Sequence, residues 1–451
     1  MSTCESLRGA AALKALRKAR GLSLADTARA LVETARRLGQ PLDSSAASVQ
    51  RSVARWESAK RPILPSDRYQ LLLAHLYARD ADGQIALGSG SDFAQLLNAL
   101  ADLGESETQL RELRALLVRT ATDDGTGLLA LLGPTTQLSM AAALADPARV
   151  DDALLAGMRA AVADVNAQVG SLPFARLQLL LAPVIESCRR LLAGGVPGPL
   201  RSELRTVAAQ AYTLAGRLAF ETGDDQASRA LYAAATDAAG KLGVPWRRAV
   251  VHMSHALVTL YSAPGIEAAR ELVDAAVRDA RTGDSVRVRA RAHALQAEIA
   301  ARSGAERHAQ TALSLAWYDL DRDLDGDPAP TSFTADHLRG FEGLCELYVG
   351  DAAVAHDVFA DSAEALDRPR ERVQRAIVST DQALACIRLG APERAADLLH
   401  ACVDSAASTG GRVPALRLRQ ARKELRPWRR EGFVADLDDH LIDVSARAAH
   451  R

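Results

Sequence analysis

The residues best suited to chemistry lie in the segment SAASVQRSVARWESAKRP, residues 45–62. Ala46, Val49, Val53 and Trp56 recur at helical spacing. A helix anchored by that apolar stripe turns Gln50, Arg51, Ala54, Arg55 and Ser58 away from its own core. Glutamine and arginine pair bidentately with adenine and guanine edges in the major groove, and Lys60 and Arg61 just beyond the helix suit phosphate oxygens. This chemistry is hydrogen bonding and charge, with no bond made or broken. The local charge agrees with it. Residues 1–80 carry 14 Lys and Arg against 7 Asp and Glu, although the whole chain has a formal net charge of -1, so a basic module precedes an acidic remainder.

Flanking helices must position this segment. Leu13 and Leu16 mark the apolar side of a first helix, and Gly21 stands where a left-handed C-terminal cap would end it. Ser23 with Asp26 makes a capping-box start for a second helix, whose buried stripe is Leu24, Ala25, Ala28 and Leu31. Pro62 and Pro65 close the third helix, and SDRYQLLLAHLYA supplies a fourth with Leu72, Leu73 and Leu76 toward the core.

LRKARGLSLADTARAL followed by VARWESAKRP resembles the lambda-repressor-like helix-turn-helix domains of the XRE family, over residues 7–79. The resemblance implies a sequence-specific grip on double-stranded DNA. Gln50 would be the first recognition position, Arg51 and Arg55 further readers, and Ser23 would stand at a helix N-terminus near a phosphate. Ser58, Lys60, Arg61 and Arg17 complete the expected DNA-contacting set. The sequence departs from the family in two places. The segment ETARRLGQPLDSSAA lengthens the connection between the second and third helices, and Ala59 stands where the family usually has Gly after the Trp-Glu pair.

Behind this module a motif repeats five times: a helix, a Gly or Pro-Gly turn, then a second Ala-rich helix. The turns fall at Gly223, Gly265, Gly304, Gly350 and Gly390, at intervals of 39–46 residues. Ala227, Ala230, Ala268, Ala309, Ala355 and Ala395 are the small residues expected where paired helices approach. The pattern resembles tetratricopeptide repeats. Stacked helix pairs of that kind bury one another's apolar faces, which predicts a right-handed α-solenoid with a concave inner surface. The combination resembles actinobacterial helix-turn-helix/tetratricopeptide regulators, also through DLDGDPAPTSFTADHLRGFEGLCELY and LRPWRREGFVADLDDHL. The resemblance implies a homodimer on a palindromic operator, with a peptide or other ligand at the concave face.

The expected fold class is all-α. Residues 1–82 form the DNA-binding domain, 83–130 linker helices or a hairpin, and 131–451 the helical-repeat sensor and dimerisation domain. Other chemistries find little support. The five cysteines, Cys4, Cys188, Cys345, Cys386 and Cys402, are too dispersed for zinc or redox pairs, so no metal and no cofactor is expected. Asp321, Asp323, Asp325 and Gly326 open like a calcium loop, but its twelfth position is Ser332 and Pro328 sits inside it. His252 and His255 share a helix face without a third ligand at metal-site spacing. Leu96, Leu103, Leu110 and Leu117 recur every seven residues, as a dimer seam would, whereas Gly104 and the Ser106 to Gln109 pattern favour a helical hairpin. No phosphate-binding loop, strand-led GxGxxG or nucleophile elbow is present, so an enzyme is not expected. With no secretion signal and no membrane-length apolar run, a cytoplasmic protein without membrane contact is expected. The alternative is a repeat-based protein-interaction adaptor without specific DNA binding.

Overall fold

The computed structural model describes residues 3–38, 42, 44–79, 85–88, 90–121, 127–322, 325–329, 333–368, 371–409 and 411–449. Within them the chain is all-α. It forms 21 α-helices and a few 3-10 turns, and its only β pairing is two isolated bridges, Arg79 with Ile85 and Val169 with Leu172. No helix among the described residues is long and apolar enough to cross a membrane.

Two compact units divide the chain. The first comprises residues 1–161, 178–200 and 445–451, and the second 162–177 and 201–444. In the first unit the helices are α1 (Thr3–Ala19), α2 (Leu24–Arg37), α3 (Ala46–Trp56), α4 (Asp67–Tyr77), α5 (Asp92–Leu103), α6 (Glu107–Ala121) and α7 (Pro134–Ala145). The helices α8 (Asp152–Ala167) and α9 (Phe174–Ala193) follow. The second unit contains α10 (Gly198–Glu221), α11 (Asp225–Gly240), α12 (Pro245–Ser262), α13 (Glu267–Thr282), α14 (Val286–Arg302) and α15 (Glu306–Leu320). It continues with α16 (Ala335–Val349), α17 (Ala352–Ala365), α18 (Arg372–Arg388), α19 (Pro392–Thr409), α20 (Arg412–Glu424) and α21 (Gly432–Ala449).

In the first unit, α1 ends as the glycine requires. Gly21 has φ +66°, its N–H donates to the Lys18 carbonyl at 2.9 Å, and the Leu22 N–H reaches back to Arg17 at 3.1 Å. Two carbonyls that the helix end would orphan are thereby satisfied. The core runs from Ala10 through Leu31, Val49, Val53, Trp56, Leu72 and Leu73 to Leu96, Leu100, Leu103 and Leu117. Leu24 and Leu76 pack at its edge, while Ala25 stays partly exposed and Thr27, Thr34 and Ala35 join the buried face of α2 instead. α5 lies along α1, so closely that a Cβ on Gly9 would stand 2.6 Å from the Ala99 carbonyl. Leu96, Leu103 and Leu117 are buried in this core with Leu110 packed against it, which withdraws them from any exposed seam. Gly104, with φ +111°, ends α5, and the Ser106 hydroxyl accepts from the Gln109 N–H at 3.2 Å where α6 begins.

In the second unit all five expected turns fall between the helices of a pair. Gly223, Gly304 and Gly390 have φ +86°, +73° and +73°, and each closes its helix with the same two reversed hydrogen bonds seen at Gly21. Pairing has its own repeated contact. A Cβ on Gly216 would stand 3.0 Å from the Tyr232 ring, and one on Gly343 2.7 Å from the Phe359 ring. Ala297 and Ala383 occupy the equivalent place, seven residues before their turn glycines, against Leu313 and Leu399. The expected small contacts are right at Ala309, Ala355 and Ala395, which are buried. They require correction elsewhere: Ala230 and Ala268 face solvent and Ala227 is only partly covered, whereas Ser228 and Ala269 are buried. The Ser228 hydroxyl donates to the Gly216 carbonyl at 2.8 Å, so a serine bonds where an alanine was expected to pack.

The first helices of successive pairs also touch one another, α12 on α14, α14 on α16, α16 on α18 and α18 on α20. They form one continuous row. α20 closes it: Arg417 donates to the Tyr261 hydroxyl on α12 at 2.6 Å, and the Val413 N–H to Glu221 on α10 at 3.1 Å.

Candidate nucleic-acid interface

α3 is fixed from beneath by Val49, Val53 and Trp56, each no more than 5% exposed. Trp56 meets Tyr69 at a ring-centroid distance of 5.0 Å. The Ser45 hydroxyl caps its N-terminus by accepting from the Ser48 N–H. With the apolar side held, Arg51, Ala54 and Arg55 face solvent and Gln50 lies half-covered at the edge of that face. Ala46, in the first turn of α3, is exposed and not part of the buried stripe as expected. Ala47, also exposed, lies four residues before Arg51 on the same face. The sequence reading omitted it, though an alanine can contact a thymine methyl.

Beyond α3 the chain solves the problem posed by Ala59. A left-handed cap would be costly for an alanine, and no non-glycine residue among the described ones has a positive φ. Instead the Ser58 hydroxyl accepts the N–H groups of Lys60 and Arg61, at 3.3 and 3.2 Å. Ser58 therefore shapes the turn on which Lys60 and Arg61 stand exposed. The Arg55 guanidinium donates to the Ser52 hydroxyl at 3.1 Å, which leaves most of its fork unpaired by protein. A groove of about 200 Å³ beside it, lined by Ser52, Arg55, Trp56, Ile63, Ser66 and Tyr69, is below the roughly 300–1,000 Å³ of small-molecule pockets.

Ser23 caps α2 in a complete box: its hydroxyl accepts from the Asp26 N–H at 3.1 Å and its own N–H donates to Asp26 at 2.9 Å. Hydrogen bonds to the carboxyl from the Ser23 side chain and the Ser23 N–H, with the Arg29 guanidinium, hold Asp26 below its ordinary pKa.

Arg17 must leave the expected DNA-contacting set. Its side chain is 9% exposed and forms a bidentate pair with Glu57, whose side chain is 7% exposed, with both N–O distances 2.7 Å. A third donor satisfies the Leu22 carbonyl at 2.7 Å. The hydrogen bonds and charge of Glu57 raise the guanidinium pKa against the opposing effect of burial. Arg17 thus ties α1 to the end of α3. Arg20 is likewise structural, bound to Asp92 at 2.6 Å and to the carbonyls of Leu76 and Arg79 at the end of α4. Of the basic residues expected to contact DNA, Arg51, Arg55, Lys60 and Arg61 are the ones exposed to solvent.

The other sequence motifs are placed as follows. Cys188, Cys345, Cys386 and Cys402 are free and buried, and the Cys4 side chain lies outside the described residues. Burial pushes the Cys345 thiol up to about 12. His255 stacks on Tyr232 at 4.5 Å, and His252 faces Asp279 at 3.7 Å. Of the calcium-loop pattern, Asp323 and Ser332 lie outside the described residues. Asp327 in that loop has a role that the sequence reading missed. It accepts the Ser285 hydroxyl at 2.7 Å and the N–H groups of Arg287 and Ala329 at 3.0 and 2.9 Å, which pins the start of α14. Against the upward push of burial, these bonds hold its carboxyl below the ordinary value.

No family model, curated protein or solved structure matches the chain.

Proposed function

We propose that this protein is a sequence-specific DNA-binding transcriptional regulator of the XRE type, acting in the cytoplasm, with tetratricopeptide-like repeats that sense a ligand or partner. The observation that carries the reading is the outward face of α3. Arg51 and Arg55 point to solvent from a helix whose opposite side is locked by Val49, Val53 and Trp56, and Lys60 and Arg61 extend the same surface. Such a helix can enter a major groove, where Gln50, Arg51 and Arg55 read base edges while Lys60, Arg61 and Ser23 hold phosphates.

In this reading a homodimer binds an inverted repeat, with half-sites about 34 Å apart or a multiple of that distance. The five helix pairs of the second unit favour a second reading, a protein-interaction adaptor, because stacked pairs offer a long binding surface whatever the first unit does.

One experiment separates them. Genomic fragments enriched by the purified protein are titrated against wild type and the Arg51→Ala/Arg55→Ala variant. The regulator reading predicts a palindromic fragment bound at about 10 nM or tighter, with binding lost in the variant. No enriched sequence, or equal binding by the variant, would overturn it and leave the adaptor.

A further inference from the structure

α20 treats its basic residues in two ways. One side of the helix is held in the core by Leu418, Ala421 and Leu425, none more than 4% exposed, against Ala383, Leu399 and Val434. Three partly covered arginines are matched with acids: Arg412 with Asp225, Arg417 with Asp381, and Arg422 with Asp438.

The outer side is different. Arg419 and Lys423, four residues apart on one face, are exposed. The chain runs on through the N–H groups of Leu425 and Trp428, which donate to the carbonyls of Ala421 and Leu425 at 3.3 and 3.0 Å, into the 3-10 turn Arg426–Trp428. Trp428 packs against the same core and fixes that turn, and Arg426, Arg429 and Arg430 stand exposed around it. The side chains of Lys423, Arg426, Arg429 and Arg430 make no hydrogen bond or ion pair among the described residues, and Arg419 bonds the Ala415 carbonyl of its own helix at 3.2 Å. Two exposed acids, Glu424 and Glu431, lie in the same stretch, and Glu424 already accepts from the Gln420 amide at 3.0 Å. Five cations thus face two anions. Residues 412–430 carry eight Arg and Lys against one Glu, while the rest of the chain beyond residue 80 has a net charge of -15. Like charges three and four residues apart work against the helix that carries them, and a polyanion would relieve that repulsion.

We propose that the outer face of residues 419–430 is a second nucleic-acid contact, which grips the phosphate backbone of duplex DNA without reading its sequence. At about 1.5 Å per residue the five cations span about 17 Å, a length along which a duplex presents about ten phosphates. Arginine forks and a lysine suit such oxygens. The exposed neighbours of the cations are Gln420, Glu424 and Pro427, so no exposed aromatic or large aliphatic side chain is there to enter a membrane interface or to anchor a protein partner. The inference goes beyond the operator reading, since this contact needs neither α3 nor a ligand at the repeats. An operator that is never found leaves its test unchanged, and the two failures are distinguishable.

Binding of a fluorescein-labelled duplex of random sequence, about 30 base pairs long, is followed by anisotropy between about 50 and 200 mM NaCl. The full-length protein and its Arg51→Ala/Arg55→Ala variant are each compared with versions carrying Lys423→Gln/Arg426→Gln/Arg429→Gln/Arg430→Gln, and with versions carrying the charge-conserving Arg426→Lys/Arg429→Lys/Arg430→Lys. The Gln changes should lower the slope of log affinity against log salt by about 3–4 in both backgrounds, about 0.9 for each lost phosphate contact, and the Lys changes should keep it. No binding of the duplex by the Arg51→Ala/Arg55→Ala protein at the lowest salt would overturn the proposal. A fall of less than about 2, an equal fall in the Gln and Lys versions, or a fall that vanishes in the Arg51→Ala/Arg55→Ala background would do the same. Loss of binding to phosphatidylserine vesicles in the Gln version, with duplex binding unaffected, would replace DNA by a membrane as the partner.

Discussion

The Arg17–Glu57 pair offers a sharp separation of a structural arginine from a DNA-contacting one. Arg17→Met removes a guanidinium that makes two bonds of 2.7 Å to Glu57 and one to the Leu22 carbonyl, and it leaves a carboxylate only 7% exposed without its partner. Breaking a buried pair from one side costs about 3–5 kcal/mol, whereas replacing both members by apolar side chains is often close to neutral. Arg17→Met and Glu57→Leu should therefore each destabilise the first unit by about 3–5 kcal/mol, and the double variant by less than either single change. Denaturant unfolding followed at Trp56, with Trp246, Trp317 and Trp428 replaced by Phe, reads this unit alone. On any DNA fragment that the protein binds, the salt dependence at a temperature where Arg17→Met is folded should match wild type, while Lys60→Ala should lower the slope by about 0.9. A single-variant loss below about 1 kcal/mol, the range of exposed pairs, would refute the buried-pair argument. A reduced salt slope in Arg17→Met would restore that residue to the DNA surface.

Two further outcomes test the second unit. Asp327→Asn should destabilise it by about 1–3 kcal/mol at pH 7, because an amide cannot accept all three donors as the carboxylate does. Since the folded carboxyl is held below its ordinary value, its contribution is fully present above the unfolded pKa of about 3.9 and is lost as pH falls through the folded value. The gap between variant and wild type in denaturant unfolding should then close in acid, and a pH-independent gap would contradict the assignment. Gly343→Ala should cost about 1–3 kcal/mol by overpacking against Phe359, with part recovered when Phe359 is changed to Leu. Equal losses with and without that second change would show that the tight Gly343 contact is not the cause.

How much was legible in the sequence depended on how far each cause reached along the chain. The five turns were legible because a helix end needs only its own residues. A glycine that reaches positive φ releases the reversed hydrogen bonds of Gly223, Gly304 and Gly390 without help from elsewhere. The outward face of α3 was legible for the same reason, since the spacing of Val49, Val53 and Trp56 fixes which side Arg51 and Arg55 occupy. Packing between helices was legible only to within a residue or two. Ala268 and Ala269 have the same chemistry, and the rotation of α13 against α12 alone buries the second and exposes the first.

The sequence by itself determined an all-helical chain, its repeated helix pairs, and a basic helix built to show glutamine and arginine on one side. Only the tertiary structure decided which charges are available. Arg17 and Arg51 are the same residue type on amphipathic helices, but a carboxylate forty residues beyond Arg17 folds onto it and none folds onto Arg51. The same distinction separates Arg302 from Arg291, two arginines on one face of α14, of which only the first finds an acid. Helical periodicity is a property of neighbours in the chain, whereas neutralisation of a charge depends on groups that meet in space.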